Sequence, residues 1–362
     1  LKLNDEQMKY TALTLLLVLT YTFNSQAQNA GMITQEFVFT EAPFKECHAS
    51  TIAETPEGLV VSWFGGTKEK NKDVEIWVSR KVGDTWTEPV SVANGIQNEK
   101  LRHPCWNPVL FQVPDGPLQL YYKVGPSPKD WWGLLIESED DGLTWGDPVQ
   151  LPDGILGPIK NKPVLLSNGT LISPTSTEHD GWRVHFEYSK DLGKTWTKGD
   201  PINDGKKYNA IQPSVLLHGD GELQIMARSK ENSVLSARSE DQGITWSALE
   251  PSELPNPNSG TDAETLKDGR FLIVYNHVGK NPNQWGGKRS PLNVAVSNDG
   301  EIWDAALVLE DQAGEYSYPS VIQSADGLVH IVYTWKRDRV KHVVVDPSKL
   351  VIKPILKGQW PG

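Results

Sequence analysis

Six stretches of the chain open on a polar residue and run at once into an apolar strand. They are His48 in HASTIAETPEGLVVSWF, Asn107 in NPVLFQVPDGPLQLYYK, Lys162 in KPVLLSNGTLISPT, Gln212 in QPSVLLHGDGELQIMAR, Asp262 in DAETLKDGRFLIVYN and Tyr318 in YPSVIQSADGLVHIVYTW. Each stretch turns through a Gly-containing hairpin into a second apolar strand. Strand starts are often polar because they lie near solvent. A repeat kept only for its shape would tend to reuse one residue, however, whereas six chemically different openers suit a site where unlike groups converge on one ligand. Among them His48 has the ordinary pKa nearest neutrality, so it is the first candidate to move a proton.

For these residues to meet, their strands must be arranged around an axis. A second motif between the hairpins supplies the arrangement: SEDDGLTW (138–145), SKDLGKTW (189–196) and SEDQGITW (239–246) fit S-x-D-x-G-x-T-W in every position. Two decayed copies, SRKVGDTW (79–86) and SNDGEIW (297–303), flank them. The motif reads as a hairpin turn in which Asp caps backbone N–H groups, Gly takes a positive φ and Trp packs between neighbouring units. Its tryptophans recur at roughly fifty to sixty residues, the length of a four-stranded propeller blade. Six hairpins and five such Asp boxes predict an all-β fold, a six-bladed β-propeller spanning 32–350 as one domain, with MITQEFVF (32–39) closing the ring. The first strand of each blade then lines the central channel, and the six openers gather at one mouth.

Composition agrees with an ordered β protein: 38% of the residues are hydrophobic, and 31 Gly, 25 Pro and 14 Trp favour short strands and tight turns. Residues 1–27 read as an export signal region. Lys9 follows Met8, an apolar centre covers 13–19, and Ser25-Gln26-Ala27 ends it. The apolar run is too short for a stable membrane span, so the expectation is a periplasmic or secreted protein without membrane insertion. In an oxidising compartment Cys47 and Cys105 either pair or remain free; sequence leaves both open. The net charge of −11 argues against nucleic acid or anionic membranes as partners but leaves room for a local basic pocket. No pair of histidines has metal-ligand spacing, and neither a metal nor a cofactor is expected.

The Asp boxes and the blade count resemble the sialidases and the wider sialidase-like BNR-repeat proteins over most of residues 40–350. The resemblance implies three arginines holding a sugar carboxylate, a Tyr nucleophile paired with a Glu, and an Asp acid/base. Tyr318, opening a Y-x-S-hydrophobic strand, matches the Tyr. Arg228, at the end of GELQIMAR, and Arg289, in GKRSPLNVAVSND, match two of the arginines. Three positions depart from the pattern. Cys47-His48-Ala49-Ser50 stands where the first arginine is expected, Gln212 stands in place of the Glu, and the Asp has only Asp73, in the loop GGTKEKNKD, as its candidate.

A Gln cannot take a proton, so the departures point away from the usual hydrolysis. Two arginines on a carboxylate, with amides such as Gln212 and Asn107 nearby, suit β-elimination from a uronic acid, because they stabilise the enediolate that forms when the adjacent carbon loses its proton. His48 and Tyr318 would serve as base and acid, in either order. Lys162 and Asp262 complete the expected substrate-binding set. The resemblance extends to propellers of polysaccharide-degrading Bacteroidota, where one activity is an oligosaccharide dehydratase acting on the terminal uronate of ulvan fragments. The sequence reading is therefore an enzyme acting on the non-reducing-end uronate of an acidic oligosaccharide, most simply a dehydratase. The alternatives are an exo-glycosidase of sialidase type and a non-catalytic glycan-binding propeller. Trp63, Phe64, Trp106, Trp131, Trp132, Trp182 and Trp285 lie outside the boxes and are candidates for stacking on sugar rings.

Overall fold

The computed structural model describes residues 30–281 and 283–361; the expected signal region, 1–27, lies outside them. Six antiparallel sheets of four or five strands follow one another along the chain, and a two-stranded ribbon, Ile96–Asn98 with Leu101–Arg102, lies between the first and second. Their inner strands are Glu46–Thr55, Cys105–Gln112, Val164–Leu165, Ala210–Leu217, Asp262–Thr265 and Tyr316–Gln323, in blades 1 to 6. The second strands, Gly58–Gly66, Leu118–Val124, Leu171–Thr177, Leu223–Ser229, Phe271–Tyr275 and Val329–Trp335, are almost wholly buried. A strand with a blade on each side has no solvent face, so its burial is continuous instead of alternating, and it takes in polar residues such as Ser173 and Gln224. Inner strands of blades 4 and 5, 5 and 6, 6 and 1, and 1 and 2 pack side by side around the axis. Among the described residues no helix is long and apolar enough to cross a membrane.

The Asp boxes do the same work three times. Asp140, Asp191 and Asp241 each accept the N–H of the Thr four residues on at 2.8 Å, and Ser138, Ser189 and Ser239 each accept a Gly N–H at 2.8 Å. The glycines Gly142, Gly193 and Gly243 have φ between 81° and 98°, which a side chain would strain. The box tryptophans reach back to the preceding blade. Trp246 stacks on Phe186 of blade 3 with centroids 4.4 Å apart, and Trp196 meets Tyr121 of blade 2 edge-on.

The N-terminal strand Met32–Phe37 pairs with Arg339–Val345 of blade 6, so that blade joins the start of the described chain to its last long strands and the ring closes as expected. Glu36 strengthens that closure. Its carboxylate accepts hydrogen bonds from Trp86 Nε1 and His342 Nδ1, each at 3.0 Å, and an ion pair with Lys81 joins it to blade 1. The His342 bond, before the others, holds the Glu36 carboxyl at about 2. An acid with a depressed pKa stabilises the fold above its ordinary value, 4.5, and loses that contribution as pH falls towards about 2. Glu36→Ala is expected to lower the melting temperature at neutral pH by a few degrees, read by thermal denaturation. An unchanged melting temperature would mean that backbone pairing alone closes the ring.

Candidate active site

Register places the mouth residues more finely than the text of the sequence does. Inner strands of blades 1, 2, 4 and 6 each carry a bulge near their start, where pairing with the second strand slips. At the bulges Ala49 (φ 57°), Asn107 (34°), Gln212 (56°) and Tyr318 (52°) adopt left-handed backbone. Such conformations are costly for residues other than glycine and persist where the surroundings over-determine them, often at functional sites. Counting back from the hairpins of blades 3 and 5 puts Lys160 and Gly260 at the same level. The residues level with one another at the mouth are therefore Ala49, Asn107, Lys160, Gln212, Gly260 and Tyr318.

Three of the six expected openers are displaced from that ring. His48 lies one residue before the bulge of blade 1, although its ring still reaches the mouth. Lys162 and Asp262 lie a layer deeper, level with Ser214. Asp262, fully buried, accepts hydrogen bonds from Ser214 Oγ (2.8 Å) and from the amides of Ala263 and Val321 (2.9 Å each), while Lys162 pairs with Glu264 at 2.8 Å and with Asp262 at 3.5 Å. Both brace the channel wall a layer below the mouth, away from the level at which they were expected as substrate-binding residues. The physical cause is the bulge: Lys162-Pro163 looks like Gln212-Pro213, but blade 3 has no bulge there and its proline falls at a different depth.

Tyr318, Gln212, Arg228 and Arg289 do come together. Tyr318 Oη accepts from Arg228 Nη1 at 2.8 Å and from Gln212 Nε2 at 3.1 Å. Arg228 Nη1 also donates to Gln212 Oε1 at 3.2 Å. Asn258 links the arginines: its Oδ1 accepts from Arg228 Nε (3.0 Å) and its backbone carbonyl from Arg289 Nη1 (2.6 Å). Gly260 makes room for the tyrosine, since a Cβ there would stand 3.2 Å from Tyr318 Cδ2. The His48 ring lies 4.1 Å from that of Tyr318, centroid to centroid, with Nδ1 3.0 Å from Thr334 Oγ1. Asn107 sits at the same mouth, and its side chain makes no hydrogen bond among the described residues.

Four cations crowd this mouth. Arg228 is buried and Arg289 half-buried, yet neither forms a salt bridge among the described residues. Burial, and then the charge of Arg228, pull Arg289 down to about 10. Arg337 is the arginine that sequence reasoning missed. It follows the second strand of blade 6, close to the place that Arg228 has in blade 4, and that correspondence was its available signal. Unlike the other two it is neutralised, by Glu69 (2.5 Å) and Glu315 (2.6 Å). Lys160, also missed, donates to Asn161 Oδ1 (2.7 Å), to the Thr261 carbonyl (2.9 Å) and to the Pro319 carbonyl. Burial pulls its ammonium down to about 7, against the pull of Asp262.

The remaining candidates divide. Trp63 is buried and stacks on Phe39, Phe64 packs edge-on to His48, and Trp106 is buried with its N–H on the Gly125 carbonyl. Trp131 meets Trp106 edge-on, and Trp132 meets His103. Trp182 and Trp285 cover Arg228, 5.1 and 5.6 Å from its guanidinium carbon, and Trp285 is 61% exposed at the surface. Asp73 caps the Thr67 amide at 2.9 Å, and its carboxyl lies below the ordinary range. Burial pushes the Glu178 carboxyl up, opposed by the charge of Arg228. Cys47 and Cys105 are buried and unpaired. Among the described residues no group of three His, Cys, Asp or Glu is arranged to hold a metal ion.

A six-bladed ring with Asp-box turns and a cationic mouth built around a tyrosine defines a sialidase-like propeller. Residues 57–331 match the family of the BNR repeat-like domain, and the chain belongs to that family. It is 27% identical over 244 residues to a sialidase of Bacteroides fragilis, covering 62% of this chain and 42% of the relative. It is 29% identical over 141 residues to a sialidase of Paraclostridium sordellii, 34% of each chain. The matched segments thus span less than half the length of these curated relatives. Among solved structures, a protein of unknown function from Dyadobacter fermentans superposes with a TM-score of 0.71 at 17% identity, over 90% of this chain and all of that one. A Hadza microbial sialidase superposes with a TM-score of 0.69 at 18% identity, over 84% of this chain and 66% of that one. At such identities the superpositions show the shared fold.

The cations also set an acid limit. His48 is held well below its ordinary 6.5, first by burial and then by Arg337, Arg289, Arg228 and Lys160. Below pH 6.5 the unfolded chain therefore binds a proton that the folded chain resists, so stability rises with pH there and falls on acidification. Denaturant titrations are expected to show unfolding free energy dropping between about pH 7 and 5, with a shallower drop in His48→Ala. Buried His277, His330 and His342 shift in the same direction and would keep part of the slope. Identical slopes in both proteins would remove His48 from the acid response.

Proposed function

We propose that the chain is an exported carbohydrate-active enzyme that binds the carboxylate of a terminal uronic acid at Arg228 and Arg289 and eliminates the proton of the carbon beside it together with the oxygen substituent of the next carbon. The observation that carries this reading is the pair of desolvated arginines joined by Asn258, neither of which has a carboxylate partner among the described residues. A buried guanidinium without a counter-ion is costly, and an anionic ligand relieves the cost. Their hydrogen bonds neutralise the carboxylate as charge moves onto it from the adjacent carbon. Tyr318 and His48 flank the same place, where they supply the proton-transferring and hydrogen-bonding groups. Gln212 beside Tyr318 favours elimination over hydrolysis, since it supplies an N–H where a Tyr nucleophile needs a carboxylate to take its proton. Trp285 offers an exposed ring for the next sugar.

A second reading, exo-hydrolysis of sialic acid or a related acidic sugar, is favoured by the curated relatives, which are sialidases. Incubation with uronate-terminated oligosaccharides separates the two. Elimination yields a C=C bond beside the carboxylate, seen by ultraviolet absorbance and by mass: loss of water alone marks a dehydratase, a released sugar a lyase. Release of a saturated acidic monosaccharide would sink the elimination reading. Tyr318→Phe and His48→Ala are each expected to lower kcat by about 10²–10⁴-fold, and Arg228→Ala to raise KM. Gln212→Glu is the discriminating variant. It should depress elimination, because a donor to Tyr318 is lost, and should raise activity if the reaction is sialidase-type hydrolysis.

A further inference from the structure

We propose that Thr334 fixes the tautomer of His48, so that the imidazole meets the mouth as an N–H donor and Tyr318 is left as the base. The division of roles rests on the elimination reading; the tautomer does not. Thr334 belongs to the second strand of blade 6, Val329–Trp335, and is fully buried. A buried hydroxyl proton needs an acceptor. Among the described residues Thr334 Oγ1 has one hydrogen-bond partner, His48 Nδ1 at 3.0 Å. The hydroxyl therefore donates and Nδ1 accepts, which puts the single proton of the neutral ring on Nε2.

The surroundings keep the ring in that state. Arg337, Arg289, Arg228 and Lys160 all oppose a second proton. Nε2 has no partner among the described residues, yet it is not one of the buried polar atoms left unsatisfied, so it keeps access to the mouth. With a proton already in place, Nε2 has no lone pair with which to take another from carbon. Tyr318 is placed in the opposite way: N–H groups of Arg228 and Gln212 both point at its oxygen, and together they stabilise negative charge there.

The elimination step then balances on Tyr318. Its phenolate oxygen takes the proton from the carbon beside the carboxylate. The C–H electron pair becomes the new C=C bond while the neighbouring C–O bond breaks, and the departing oxygen receives the proton back from Tyr318. The enzyme ends as it began. His48 Nε2–H donates a hydrogen bond to the oxygen on which charge builds, without transferring its proton. Thr334 is thus a positioning residue, acting on the substrate only through His48.

Nitrogen-15 labelling of histidine, with two-bond proton–nitrogen correlation spectra of the free protein, reads the tautomer directly; His48→Ala assigns the signal. The expected result is a protonated Nε2 and a bare Nδ1 in the wild type and in Thr334→Ser, with a mixture or reversal in Thr334→Val. In turnover assays Thr334→Val is expected to lower kcat about tenfold with little change in KM, the loss of one buried hydrogen bond, and Thr334→Ser to restore it. His48→Gln, whose amide nitrogen falls near Nε2, should retain more activity than His48→Ala. A proton on Nδ1 in the wild type, or a tautomer unchanged in Thr334→Val, overturns the proposal, and so does a His48→Gln variant as inactive as His48→Ala in a protein shown to eliminate. An Nε2–H ring in a protein that forms no unsaturated product upholds the tautomer and removes the elimination reading instead.

Discussion

The buried guanidinium of Arg228 is the interaction on which the mouth depends. A cation removed from water must find acceptors or an opposite charge, and here it finds only neutral ones: the Tyr318 oxygen, the Gln212 and Asn258 side-chain carbonyls, and the faces of Trp182 and Trp285. Those groups come from blades 3, 4 and 6, from the segment before blade 5 and from the loop between that blade's second and third strands, so satisfying one side chain holds most of the ring in position. No carboxylate lies within ion-pair distance of Arg228 among the described residues, which makes the mouth of an acidic protein locally attractive to an anion. Arg337, by contrast, is clamped by two carboxylates, and its charge orders the loops around blades 1 and 6.

Burial first, and the crowded charges after it, govern the titratable groups. His48 is driven towards neutrality, Arg289 is weakened, and Lys160 is brought near neutral pH. Crowding like charges is unfavourable for the fold by itself. The structure absorbs it through the bracing layer beneath, where Asp262 and Lys162 tie the inner strands of blades 3, 4, 5 and 6 together. The site and the channel wall are therefore one polar network at two depths: the upper layer is left open to a ligand and the lower one is internally satisfied.

The propeller was legible in the sequence because its signals are local. An Asp box needs only Ser, Asp, Gly, Thr and Trp at fixed offsets within one turn, and each apolar hairpin announces a pair of inner strands. Arg228, Arg289, Gln212 and Tyr318 could be named together because the family resemblance gives each a position within its own blade, and the structure brings the four side chains together. Lys162 and Asp262 were misplaced because depth along the channel depends on whether a strand carries a bulge, and a bulge is defined by pairing with another strand. Proline after the opener imitates the bulge in blade 3 without producing one.

By itself the chain determined the all-β architecture, the number of blades, the turn chemistry and the polar character of the mouth, all of which follow from spacing and residue type over short stretches. Tertiary structure alone decided which side chains share one level, because closure brings together strands far apart in sequence and their bulges set the register. It decided that Arg337 and Lys160 join the cations, that Gly260 makes space for Tyr318, and that Thr334, 286 residues from His48, supplies the bond on its Nδ1. The physical reason is desolvation: whether a polar group is braced, neutralised or left free for a ligand depends on what surrounds it in three dimensions, and its neighbours along the chain do not specify that.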